Sequence, residues 1–368
     1  MLSIDHLQEI SLELERTKIV DRGQTVAELN AYLADIYDHP SYAKWLEIDQ
    51  FGGAAHASGR FTVPAEIGIK HLDAKRILDR YLLTVNRELM VKIDKHFNRI
   101  HLTDGFWVDP RIRVYPTPDE SEQLCGYIKS TDYEANADVL IDPACGCGHH
   151  GMALNVPIRV SMDVSVRALT YCVLNAVLSD SQRQLYALND IRGGLPDLLS
   201  RYLAGRVLFA ANMPFAVFPR FESGSSPSAQ DGGTRGVALT FAAMEAVAKL
   251  WREARSISEL RAVILFYSLG RTENGPWEVE ERAEKMFGLE SVSTKILSDE
   301  KMWRVNGKKE QPNPMPIDKL EEKAACRFTW AEYEEQNVRE AYKARQQEFK
   351  DDGWTHLGYG VLDIVLRR

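Results

Sequence analysis

The chain lacks a CxxC pair, and no hydrophobic run approaches the roughly 18 residues that a membrane-crossing helix needs. Only five of its 368 residues are cysteine: Cys125, Cys145, Cys147, Cys172 and Cys326. An odd number at irregular spacings argues against a disulfide framework and against a structural zinc site. Cationic charge is also in deficit, with 45 Lys and Arg against 53 Asp and Glu, a formal net charge of −8. Proteins that grip phosphate backbones concentrate basic charge, so the balance argues against a duplex-binding enzyme. The opening segment MLSIDHLQEISLELER is acidic and amphipathic, without the apolar centre of a signal peptide, which leads us to expect a cytoplasmic protein. At 45% hydrophobic and 27% charged residues, the remaining composition is that of an ordinary globular protein. The length predicts one large domain with an appendage, or two domains.

Two organisations follow one another along the chain. Residues 1–104 read as a helical domain, a lid or substrate-binding unit. Ile4, Leu7, Ile10 and Leu14 recur at helical spacing. Thr25 and Glu28 fit a capping box, with Val26, Leu29, Leu33 and Ile36 on one face of the helix that follows. After a glycine-rich break, Ile77, Tyr81, Val85, Leu89 and Ile93 predict a longer helix over Leu72 to Phe97. Residues 105–368 read as the catalytic domain. A proline-punctuated connector leads into apolar strands alternating with helices: ADVLID, IRVSMD, QLYALND, RVLFAAN and LRAVILFYSL. SVSTKILS and HLGYGVLDIVLRR predict a sixth and a seventh strand, paired as a hairpin around a charged insert over residues 299–353. In that insert Thr329 and Glu332 cap a helix running to about Phe349. The expected fold is α/β: a seven-stranded, mostly parallel, Rossmann-like sheet with helices on both faces and an N-terminal helical domain. The polar stretch Glu222 to Gly236 predicts a mobile loop.

In such a sheet, ligands bind where the strands end. Asp142 to Gly148, DPACGCG, leaves the first strand, and its glycines permit close backbone approach and unusual dihedrals. Asp163 ends the second strand, at an offset from Asp142 suited to holding a ribose diol. Asp190 ends the third, where it can accept from an adenine amino group. The pattern GCGHHG, Gly146 to Gly151, also fits a bare dinucleotide motif, but the anionic Asp142 at its head disfavours a pyrophosphate and suits a cationic or zwitterionic ligand. Cys145 and Cys147 beside His149 and His150 sit at a spacing poor for tetrahedral ligation, so no metal is expected and the thiols read as small buried groups.

The segment resembles the first motif of class I S-adenosylmethionine-dependent methyltransferases of the DPACGSG type, over roughly residues 105–270. The resemblance implies S-adenosylmethionine as cofactor, with the methionine part bordered by Asp142, Gly146 and Gly148, the ribose held by Asp163, and Asn189 and Asp190 near the adenine. Ala144, Val164 and Asn212 complete the expected cofactor-binding set. The stretch DVSVRALTYCVLN, Asp163 to Asn175, looks like the family's continuation into the following helix. Cys147 stands where Ser or Thr is usual, and Gly148 and Asp163 are closer than is usual in the family, so the first helix, HHGMALNVP, must be short.

Asn212 to Phe215, NMPF, ends the fourth strand. An Asn side-chain carbonyl and the following backbone carbonyl can both accept from one NH2 group and so align a nitrogen for in-line attack. Pro214 fixes the turn, and Phe215 can stack on a planar acceptor. The segment resembles the N-P-P-[FY] motif of amino-group methyltransferases, from which Met213 departs. That resemblance makes Asn212, Met213, Pro214 and Phe215 the candidate catalytic residues. Pro118, Ser121, Glu122 and Leu124 are similar to a segment of the glutamine-methylating branch, and so is DGGTRGVAL with Gly232 and Gly233. As structure alone, Pro118 and Glu122 begin a helix and Gly232 and Gly233 end a loop.

The expected function is transfer from S-adenosylmethionine to nitrogen of a small molecule or a protein side chain, in a biosynthetic role. One alternative is cyclisation of the cofactor to azetidine-2-carboxylate with release of methylthioadenosine, as azetidine-2-carboxylate synthases do on a related scaffold. Further alternatives are a nucleic-acid amino methyltransferase and a non-catalytic binding module. The sequence leaves the oligomeric state open.

Overall fold

A computed structural model describes residues 22–51, 60–70, 84–85, 87–96, 99–105, 108, 112–114, 119–179, 184–214, 233, 235–297, 313–319 and 335–368. The expectations for Ile4, Leu7, Ile10, Leu14, Ile77 and Tyr81, for the cap at Thr329 and Glu332, and for most of the Glu222–Gly236 loop lie outside the described residues.

The chain begins with α1 (Arg22–Tyr37), α2 (Pro40–Phe51) and α3 (Ala65–Lys70). α1 starts three residues before Thr25, so the expected capping box lies inside the helix and does not open it. Its apolar face is as expected: Leu29, Leu33 and Ile36 are buried and Val26 packs against them. The helix predicted to reach Phe97 is contradicted over its second half. Two hairpins stand there: β1 (Thr84–Val85) with β2 (Glu88–Leu89), and β3 (Lys92–His96) with β4 (Arg99–Thr103). The fourfold spacing of Val85, Leu89 and Ile93 mimics a helix face. Between those positions, however, Met90, Val91 and Lys92 are equally buried, which a one-sided helix does not allow. The first hairpin turns through Arg87 at φ 69°. That left-handed conformation is costly for a non-glycine residue, and here it is offset by two hydrogen bonds from the Arg87 guanidinium to the Val63 carbonyl, 2.9 and 2.7 Å.

The second part opens with α4 (Asp119–Lys129) and α5 (Tyr133–Asn136). Alternation then sets in: β5 (Val139–Asp142), α6 (His149–Ala153), β6 (Ile158–Asp163), α7 (Val166–Leu178), β7 (Gln184–Leu188), α8 (Asp197–Tyr202), β8 (Gly205–Asn212), α9 (Ala238–Glu253) and β9 (Ile257–Gly270). α10 (Glu278–Phe287), β10 (Val292–Ile296), the two-residue β11 (Met315–Pro316), α11 (Glu335–Asp351) and β12 (His356–Arg367) follow.

Strands β5 to β12 form one sheet in the order β10-β12-β9-β8-β5-β6-β7, with β11 beside β12. β5 through β9 run parallel, while β12 is antiparallel to both β9 and β10. This is the expected mostly parallel α/β sheet, and its last two long strands pair antiparallel as the sequence predicts. The period of two explains how both faces are covered. Val207, Phe209 and Ala211 of β8 enter the core beneath α9 and α10, whereas Leu208 and Ala210 enter the core beneath α4 and α11. Full burial of a side chain such as Phe209 stabilises the fold by about 1.5–3 kcal/mol. A third core joins α1 and the hairpins to Ala168, Tyr171, Leu174, Val177 and Leu178 of α7.

Candidate functional site

β5 has β6 on one side and β8 on the other, so the strand order reverses there, and ligands of open α/β sheets bind at such a switch point. The DPACGCG loop leaves β5 at this point and enters the five-residue α6, short as the spacing required. Gly146 and Gly148 have φ of 51° and 89°, conformations that favour glycine. Their surroundings differ. A Cβ at Gly148 would lie 2.6 Å from Cys172 Sγ, whereas one at Gly146 would project into open space. Gly148 is thus held by close packing on α7, and Gly146 leaves room for a ligand over the loop.

Hydrogen bonds fix the loop from three sides. The Cys145 amide donates to the Met162 carbonyl at 2.8 Å, and the Gly148 amide to the Cys145 carbonyl at 2.7 Å. Asn175 Nδ2 donates to the carbonyls of Cys147 and Leu102, at 3.1 and 2.9 Å, while Asn175 Oδ1 accepts from the Leu102 amide at 2.8 Å. One side chain of α7 therefore ties the loop to β4. The same helix meets the N-terminal part again through Arg167, whose Nε donates to Asp104 Oδ2 at 2.8 Å, and Tyr171, whose hydroxyl donates to Asp104 Oδ1 at 2.8 Å. Cys125, Cys145, Cys147 and Cys172 are buried, and burial holds the thiols of Cys125 and Cys145 well above the ordinary range. Among the described residues no cluster could hold a metal ion.

Asp163 ends β6 beside the loop. Its Oδ2 accepts from the Gly146 amide at 3.0 Å and its Oδ1 from the Ser165 amide at 2.9 Å. Burial pushes its carboxyl up to about 6, with a further push from Asp142, against the pull of those backbone amides. Val164 follows with its side chain 61% exposed, an apolar surface at the strand end. The Asn189 amide donates to the Asp163 carbonyl at 2.9 Å, and its side chain donates to the Gly194 carbonyl at 3.0 Å. Asp190 caps the short turn Ile191–Gly193 and pairs with the Arg192 guanidinium, which lowers its exposed carboxyl.

Asp142 is the last residue of β5. It is buried, and its Oδ2 lies 3.0 Å from His150 Nδ1 on α6. Its other oxygen accepts weakly from the Ala144 amide at 3.4 Å. His150 is buried with it, and its Nε2 has no partner among the described residues. Sequence reasoning weighed His150 only as a metal ligand. The signal it missed is that five helical residues so soon after a strand fold back over that strand's last side chain.

Asn212 ends β8. Its Nδ2 donates to Ser121 Oγ at 2.9 Å, and its Oδ1 is buried with no hydrogen-bond partner among the described residues. Ser121 is buried in the first turn of α4, so that helix brings it to the end of β8 on the face Asn212 shares with Leu208 and Ala210. Leu124 points into the core of that face. Met213 is 2% exposed and continues the inward series Val207, Phe209, Ala211 into the core under α9. Pro214 is half-buried, and Phe215, Pro118 and Gly232 lie outside the described residues. Gly233 takes φ 79°, and nearby Arg235 donates to Glu278 Oε1 at 2.9 Å and to Asp352 Oδ2 at 3.2 Å, which ties the start of α9 to α10 and to the residue after α11.

No known protein family matches the sequence, and no curated protein does. Among solved structures, the chain is similar to M. jannaschii TYW2 in complex with AdoMet, at 12% identity over 76% of this chain and 87% of that one, TM-score 0.36. It is also similar to the putative transferase PH0793 from Pyrococcus horikoshii (11% identity, 83% and 86% of the two chains, TM-score 0.37). A third likeness is to the Bacillus subtilis YcgJ protein (10% identity, 67% and 99%, TM-score 0.37). Overlaps of this size describe a distant likeness, and the fold of this chain stands on its own strand order.

Proposed function

We propose that this chain is an S-adenosylmethionine-dependent transferase that methylates nitrogen on a small molecule or a protein side chain, nearest in kind to the enzymes that methylate glutamine side chains. The observation that carries the reading is the buried, unpartnered Oδ1 of Asn212 at the end of the strand beside the glycine loop. A buried acceptor left unsatisfied costs about 1–3 kcal/mol and calls for a donor from a ligand. An NH2 group supplies one.

The residues present fit the cofactor. Gly146 leaves space over the loop. The Asp163 oxygens accept from the backbone amides of Gly146 and Ser165 and keep lone-pair capacity for a ribose hydroxyl. Val164 offers an apolar face at the strand end where an adenine would lie. With Asp142 tied to His150, a carboxylate–imidazole pair underlies the position expected for the methionine part. Bound there, the cofactor supplies an electrophilic methyl on a sulfonium. The chain's task is to bring a nitrogen to it with the lone pair aligned, and Asn212 Oδ1 accepts from that nitrogen and sets its direction. Rate then comes mainly from positioning.

Calorimetric titration with S-adenosylhomocysteine tests the assignment of parts. Asp163→Ala should weaken binding by about 1–3 kcal/mol, the scale of a hydrogen-bonded charged partner, while Asn212→Ala should leave it unchanged. Undiminished affinity in Asp163→Ala would remove the ribose assignment, and an equal loss in Asn212→Ala would move that residue from the acceptor to the cofactor.

A further inference from the structure

A carboxamide is nearly symmetric in shape and opposite in polarity at its two ends: one end only accepts and the other only donates. For Asn212 this difference decides whether the slot attracts or repels an NH2 group. With Oδ1 toward the slot, a nitrogen can donate and keep its lone pair directed away. With Nδ2 toward the slot, two sets of N–H bonds face each other.

The structure has Oδ1 unpartnered and Nδ2 donating to Ser121 Oγ at 2.9 Å. Ser121 is 6% exposed, comes from α4, and lies 91 residues away in the chain. Among the described residues its hydroxyl has no other partner. When a ligand nitrogen donates to Oδ1, the buried Nδ2 must still be satisfied, and Ser121 is the group that satisfies it.

We propose that Ser121 is a positioning residue of the acceptor slot. By accepting from Asn212 Nδ2, it satisfies the amino end of the carboxamide while the oxygen is turned to the nitrogen that reacts. This rests on the methyl-transfer reading and adds to that site a residue from α4, the helix over the face that Asn212 shares with Leu208 and Ala210.

The test needs no acceptor substrate. Sinefungin is an S-adenosylhomocysteine analogue that carries an amine where the transferred methyl would stand. Its affinity divided by that of S-adenosylhomocysteine therefore reads the donor-accepting power of the slot. Ser121→Ala should lower this ratio about tenfold, the scale of one charge-assisted hydrogen bond, with S-adenosylhomocysteine affinity and thermal melting unchanged. Ser121→Thr should restore it. Asn212→Ala should lower it equally, and the double variant no further, because the two residues act as one unit. A ratio unchanged in Ser121→Ala, or additive losses in the double variant, overturns the role of Ser121 alone. A ratio unchanged in Asn212→Ala overturns the acceptor reading as well. Failure of wild type to bind either nucleoside removes the cofactor reading and this proposal with it.

Discussion

At Asp163 two demands oppose one another. Burial raises its carboxyl from an ordinary 3.8 to about 6, so the charge that a ribose diol prefers is held at a cost to the unliganded fold. The sign follows from linkage. A carboxyl raised in the folded state adds stability below its unfolded value of 3.8, and that contribution is lost as pH rises through about 6. Ligand affinity runs the other way, because the diol's hydroxyls donate best to the ionised form. The expected outcome is that S-adenosylhomocysteine binding weakens as pH falls from 8 to 5 and that binding near pH 6 releases a proton, visible by calorimetry in buffers of different ionisation enthalpy. In Asp163→Asn this pH dependence should vanish. Affinity that is flat across the range in wild type would show that Asp163 is not the residue the ligand engages. Asp163 was legible in the sequence because a strand end fixes where its side chain sits. The Asp142–His150 pair was not, since it depends on how the turn between β5 and the start of α6 folds back over the strand end.

At the level of elements, α7 binds the glycine loop after β5 to the N-terminal hairpins. Asn175 makes three buried hydrogen bonds, to Cys147 and to both backbone groups of Leu102. Asn175→Ala leaves those backbone groups unpaired, so it should lower unfolding free energy by about 1–3 kcal/mol, read as a fall in the urea midpoint. An unchanged midpoint would mean that α7 and the hairpins are not coupled through this side chain. The strands and α7 could be read from the sequence because apolar runs bounded by turns carry their own period. The hairpins over Thr84–Thr103 could not. Lys92 and Asp94 are buried as an ion pair, 3.7 Å apart, so the polar residues that would mark a strand's solvent face lie inside. What remained was a false fourfold spacing.

For the whole molecule, strand order does what no single motif can. It places the ends of β5, β6, β7 and β8 along one edge and brings α4, from before the sheet, against the last residue of β8. The sequence marked both DPACGCG and NMPF but not that Ser121 reaches Asn212, because contacts across 91 residues follow from topology and not from periodicity. Nor did it show that Met213 turns inward, although the alternation of Val207, Phe209 and Ala211 carried that information. The central claim is that the edge holds S-adenosylmethionine with its methyl toward a nitrogen at Asn212. The most direct measurement is mass spectrometry of products after incubation with S-adenosylmethionine, with and without a pool of amide- and amine-bearing small molecules and peptides. The account expects S-adenosylhomocysteine and an N-methylated product only when the pool is present, both lost in Asn212→Ala. Methylthioadenosine with a four-membered cyclic amino acid, formed from S-adenosylmethionine alone, would contradict it.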